Sequence, residues 1–97
     1  MNLQKSCFAP HLNTVFQVLS RSMGEVEFTL VDIEERMPPH ARILSLIFKG
    51  PGDRPLVQKT RRLSHPEMGA FELFLGPIQM GKQDGIYYQA VINRPAV

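Results

Sequence analysis

The sequence predicts an all-β fold: a single small antiparallel meander of about six strands, curled as a barrel or a compact sandwich, with at most a short helical turn near its N-terminus. Three observations predict it. Short segments of alternating apolar and polar residues recur along the chain, and Gly, Pro, Asn and Asp interrupt them at close intervals. No stretch keeps a helical period long enough for the crossover of a βαβ unit. With 97 residues there is room for one modest core, and we read 1–7 as an N-terminal arm and 8–97 as one domain.

The first seven residues are polar and read as a loose arm. Phe8, Leu12, Val15, Phe16 and Leu19 fall at helical spacing after Pro10, while Phe16 and Val18 fit a short strand equally well. Because Thr14 and Val15 are β-branched, we place a helical turn over 10–13 and a strand over 15–19. After the turn-forming Ser20-Arg21-Ser22-Met23-Gly24, a half-buried strand is marked by Val26, Phe28 and Leu30 alternating with Glu27 and Thr29. The alternation slips at Leu30-Val31, which predicts a bulge there or burial of both faces. Met37-Pro38-Pro39-His40 breaks the pairing, since proline cannot donate to a ladder.

Residues 42–49 form the densest strand, with Leu44, Leu46 and Phe48 on one face and Ile43 and Ile47 on the other. The run Gly50-Pro51-Gly52-Asp53-Arg54-Pro55 is turn chemistry throughout. A polar, edge-like strand over 57–63 follows, and its candidate basic edge is Arg61 and Arg62, charges that discourage stray sheet pairing. His65-Pro66-Glu67-Met68-Gly69 is the hairpin turn: Pro66 presets φ at the first corner, Gly69 accepts a left-handed conformation, and a ring nitrogen of His65 can bond backbone groups of the same turn. Phe71, Leu73 and Leu75 then share one face of a strand stopped at Gly76-Pro77. After a flexible loop over 79–85, the last strand spans 86–93 with Tyr88, Ala90 and Ile92 opposite Tyr87, Gln89 and Val91.

Composition narrows the function classes. A formal charge of +2, from 11 Lys and Arg against 9 Asp and Glu, lacks the clustered basic stripe of a nucleic-acid footprint. The apolar run over 43–48 is strand length, far short of the ~20 residues that span a bilayer. The polar N-terminus lacks a secretory signal core, so cytoplasmic residence is the default expectation, with incorporation into an extracellular or tail-like assembly as the other destination. Cys7 has no second cysteine to pair with.

No catalytic constellation emerges. His11, His40 and His65 stand in separate turns without metal-ligand spacing, no nucleophile elbow is present, and Asp32, Glu34 and Glu35 read as a solvated strand edge. The glycines of Gly50-Pro51-Gly52 do not precede a helix that would cradle phosphate. We therefore expect no enzyme, no cofactor and no metal site. The informative anomaly is apolar excess on the second sheet face, where Ile43, Ile47, Phe74, Tyr87 and Val91 form the candidate interaction face, with Val31 and Ile33 also to be placed. Either the N-terminal Phe8, Leu12 and Phe16 cover that face, or a partner does.

Three runs carry a resemblance: Phe48-Lys49-Gly50-Pro51; Arg62-Leu63-Ser64-His65-Pro66-Glu67-Met68-Gly69-Ala70-Phe71-Glu72-Leu73-Phe74-Leu75-Gly76-Pro77; and Tyr87-Tyr88-Gln89-Ala90-Val91-Ile92-Asn93-Arg94. Together with Phe8-Ala9-Pro10 and Val26-Glu27-Phe28-Thr29-Leu30-Val31, they resemble an uncharacterised bacterial family, a domain of unknown function of about this length. The resemblance implies a small antiparallel β domain without assigned activity, in genomes where similar proteins accompany phage-tail-collar or fibre-like proteins. Where family members usually carry Gly near the first strand, this chain has Asn13, which also tolerates left-handed φ; Lys59 precedes Thr60 where a small residue is usual. The expected function is a non-enzymatic protein-protein interaction or assembly component, partnered by a tail-collar or fibre-like protein or by its own copies. The alternative is a small-barrel binding module for a small apolar or anionic ligand.

Overall fold

A computed structural model describes residues 3–95. A four-residue helix α1 (Lys5–Phe8) runs into a 3-10 turn (Ala9–His11), and six strands follow: β1 (Val15–Ser20), β2 (Gly24–Arg36), β3 (Ala41–Gly50), β4 (Lys59–His65), β5 (Gly69–Ile78) and β6 (Ile86–Pro95). All neighbours are antiparallel, and the sheet closes as a barrel in the order β1-β2-β3-β6-β5-β4. Of the two closures open to a two-faced sheet, the barrel is the one adopted. The chain leaves sequential order after β3, where the loop over 51–58 crosses the barrel end to reach β4.

The pairing is uneven. Long registers join β1 to β2, β2 to β3 and β3 to β6, the last running from Ala41↔Pro95 to Gly50↔Ile86. The β4–β5 hairpin closes this four-stranded wall through two short seams, Gln17↔Ser64 and Val18↔Leu63 on one side, and Gly76↔Gln89 to Ile78↔Tyr87 on the other. The first seam opens toward Ser20 and Lys59; the second opens toward Gly69 and Pro95, at the opposite end of the barrel.

Alternation explains most of the core. Phe16, Val18, Val26, Phe28, Leu30, Leu46, Phe48 and Leu63 have no exposed surface, as expected for inward positions of a narrow barrel whose interior side chains fill. Aromatic rings meet through it: Phe16 lies edge-on to Phe48 at 5.4 Å, and Phe28 stacks on Tyr88 at 4.5 Å. These rings occupy the space that an apolar ligand inside the barrel would need. The Tyr88 hydroxyl accepts the Leu56 amide hydrogen at 2.9 Å, which pins the crossing loop over that end.

Of the two alternatives expected at the slip, a bulge is the one that fits, since the β2–β3 register shifts between Leu30 and Asp32. Its effect is to reverse the facing of the strand, so that Ile33 returns to the core while Asp32 and Glu34 point outward. Four expectations need correction. The α-helix begins earlier than expected, at Lys5–Phe8, and only the 3-10 turn Ala9–His11 overlaps the expected 10–13; Leu3 and Cys7 pack against the core and Phe8 is fully buried, so residues 3–7 are part of the barrel's plug and not a loose arm. β5 does not stop at Gly76-Pro77, because at Gly76 it changes partner from β4 to β6, and a proline is tolerated where ladders are exchanged. β4 is an edge only over 59–62, since closure pairs Leu63 and Ser64 with β1.

Candidate functional site

The outer wall of β2, β3 and β6 is where the apolar excess surfaces. β3 points Ile43, Ser45 and Ile47 outward, and β6 points Gln89 and Val91 beside them, because their even-numbered neighbours face the core. Gln89 donates from Nε2 to Ser45 Oγ at 2.8 Å, a polar bridge across an otherwise apolar floor. Ile78 and Met80 form one wall, Asp32, Glu34 and Arg36 the other, and the groove between holds about 450 Å³. Arg36 Nε donates to Glu34 Oε1 at 2.8 Å, which balances one of the two carboxylates.

The candidate interaction residues divide. Ile43 and Ile47 are half-buried in the groove; Val91 and Phe74 are each 55% exposed. Continuing the β5–β6 register past Gly76↔Gln89 sets Phe74 opposite Val91, across the seam where the two strands are no longer paired. The covering segment considered for this face goes elsewhere, since Phe8 and Phe16 enter the barrel and Leu12 is exposed.

Tyr87 is a correction. Only 5% exposed, it lies under the loop over 79–85 and cannot serve as an open contact. Its hydroxyl donates to Asp84 Oδ1 at 3.0 Å, and Lys49 Nζ donates to Asp84 Oδ2 at 2.9 Å. Lys82 Nζ sits 5.4 Å from the ring centre. The Lys49 hydrogen bond, then that of Tyr87, holds the Asp84 carboxyl below the usual carboxylate range. Burial and then Asp84 push the Tyr87 phenol up. The loop expected to be flexible is thus tied down by a carboxylate that bridges β3 and β6.

The basic edge is also corrected. Arg61 faces inward and is 8% exposed, while Arg62 faces out with Glu72 as its cross-strand neighbour. Adjacent strand residues point to opposite faces, so the two charges cannot form one patch. His65, Pro66 and Gly69 form the β4–β5 turn: Gly69 has φ 80°, and His65 Nδ1 accepts the amide hydrogens of Glu67 at 3.1 Å and Met68 at 3.4 Å.

Ile78, Met80 and Gln89 were missed as groove residues. Reading Pro77 as a stop hid Ile78, and only the partner exchange of β5 carries it to the groove. Among the described residues no three His, Cys, Asp or Glu side chains converge to hold a metal ion, and no helix is long and apolar enough to cross a membrane.

These features define a small closed antiparallel barrel domain, plugged by its own N-terminal helix and carrying an apolar groove on its outer wall. The family model described as a domain of unknown function (DUF6916) matches residues 3–92, and the chain belongs to that family. No curated protein and no solved structure matches it.

Proposed function

We propose that this domain is a non-enzymatic interaction module that receives an extended segment of a partner protein along the open β5–β6 seam and the adjoining β3–β6 groove. The carrying observation is the pair Phe74 and Val91, both 55% exposed, flanking strand edges that have parted. An unpaired strand edge offers backbone donors and acceptors to an incoming strand, and apolar side chains beside it offer pockets for alternate residues. The segment that fits carries apolar side chains and a basic residue, because among the described residues no cation pairs with Asp32 on the groove rim as Arg36 pairs with Glu34. A fibre-like or tail-collar-type protein is the partner to try first.

The experiment places a photo-crosslinking residue at Phe74 and measures capture of that partner, with light scattering run on the domain alone. Crosslinks to the partner that are lost in Val91→Glu support the reading, and concentration-dependent dimers identify a second copy as the occupant. Capture unchanged by both Phe74→Glu and Val91→Glu overturns it. Neither side chain fills the core, so the thermal midpoint is expected to hold.

A further inference from the structure

The inward positions of β4 are Arg61, Leu63 and His65, so a guanidinium stands in a row where neighbouring strands place hydrocarbon. Its Nη2 donates to the Val57 carbonyl at 2.9 Å. Its Nε is buried with no acceptor, and among the described residues no carboxylate forms an ion pair with it. A buried cation that is unpaired is costly, and such groups persist where an anion completes them.

A recess opens beside it. The β1–β4 seam ends at Val18↔Leu63, and continuing that register sets Ser20 opposite Arg61 at the point where the strands part. The recess holds about 300 Å³ and is bounded by the β1–β2 turn and the crossing loop. Ser20, Arg21, Ser22 and Lys59 line it with Arg61, and no Asp or Glu does. The Ser20 and Ser22 hydroxyl oxygens are 3.4 Å apart. Three cations and two hydroxyls share this concavity with Met23, Pro55, Leu56 and Val57, and the Arg61 side chain that lines it is the one that carries the unsatisfied nitrogen.

We infer that this recess binds a tetrahedral oxyanion, a phosphate or sulfate group, with Arg61 as the buried anchor, Ser20 and Ser22 as hydroxyl donors, and Arg21 and Lys59 at the mouth. Guanidinium and ammonium groups make charge-assisted hydrogen bonds to such oxygens. The site lies at the barrel end away from the open β5–β6 seam and does not depend on the interaction reading.

The test is calorimetric titration of the whole chain with inorganic phosphate, sulfate and a phosphoserine peptide, against chloride at matched ionic strength. Saturable binding of phosphate or sulfate but not chloride is expected. Arg61→Met, of similar length and uncharged, is expected to weaken it by about tenfold or more. Tighter binding of the peptide than of inorganic phosphate identifies a phosphorylated macromolecule as the source; equal affinity identifies a free anion. Lys59→Gln and Ser22→Ala, both at exposed positions, carry the test if Arg61→Met does not fold, and each is expected to weaken binding severalfold. Affinity unchanged in all three variants, or a chloride response equal to that of phosphate, overturns the site.

Discussion

Nε2 of His65 lies 3.0 Å from the hydroxyl of Thr14, joining the β4–β5 turn to the segment that enters β1 from fifty-one positions earlier. The proton positions follow from the surroundings. Nδ1 accepts two backbone N–H groups and so carries the lone pair, which puts the ring proton on Nε2, donating to Thr14. The Thr14 hydroxyl in turn donates to the His11 carbonyl at 2.6 Å. The ring also packs against Phe16 at 4.6 Å and His11 at 4.4 Å. A neutral imidazole satisfies every one of these contacts; a second proton on Nδ1 would face two amide hydrogens.

That arrangement sets a pH dependence. Burial, and then His11, hold His65 below its ordinary value of 6.5, while Glu67 pulls the other way; Glu67 Oε2 is itself 3.7 Å from His11 Nδ1. As pH falls through 6.5 the unfolded chain takes up the proton first, so stability drops until the folded His65 is protonated too. Urea midpoints measured at about pH 7.5 and about pH 5.5 are expected to fall for the natural chain and to fall less for His65→Gln. At neutral pH, His65→Ala is expected to cost about 1–3 kcal/mol through the unsatisfied Thr14, Glu67 and Met68 groups. An equal pH slope in the natural chain and the glutamine variant would rule this role out.

Gly50 is required for space. A Cβ there would stand 2.6 Å from Phe28 Cε1, and the Phe28 ring is stacked against Tyr88 at 4.5 Å, so it cannot swing clear. Gly50→Ala is expected to destabilise the barrel by about 1–3 kcal/mol, the usual range for overpacking. Thermal unfolding measures it; a midpoint equal to that of the natural chain would mean that the Phe28–Tyr88 stack yields.

Asp84→Asn tests the bridge over β3 and β6. The Tyr87 phenol, raised by burial first and Asp84 second, is expected to titrate lower in this variant yet remain above its ordinary value of 10.0, because the larger cause is untouched. NMR of ring-labelled tyrosine, assigned with Tyr87→Phe, reads this directly. In the natural chain the depressed Asp84 contributes stability that is present above its ordinary value of 3.8 and is lost as pH falls through its folded value. A Tyr87 titration unmoved by the substitution would show that the bridge does not form.

How much was legible depended on whether a feature is local. The slip at Leu30-Val31 broke a period of two, and any break in that period forces a bulge or a change of face. The outward placement of Ile43, Ile47 and Val91 followed from the same period. Arg61 shows the opposite case. Its neighbours Lys59 and Arg62 made the strand look solvated, and alternation alone cannot say which of two faces is inner when both carry charge.

By itself, then, the sequence determined that there are about six strands, the hairpin at His65 to Gly69, the slip of alternation at Leu30-Val31 and the apolar excess on a second face, because each is written in the spacing of neighbouring residues. Tertiary structure alone decided that the sheet closes, that α1 plugs it, that Tyr87 is covered by its own loop and Arg61 is drawn inside, and that β5 changes partners to bring Ile78 to the groove. Those outcomes rest on contacts between residues far apart in the chain. Their energies depend on which strands become neighbours, and closure of the barrel is what settles that.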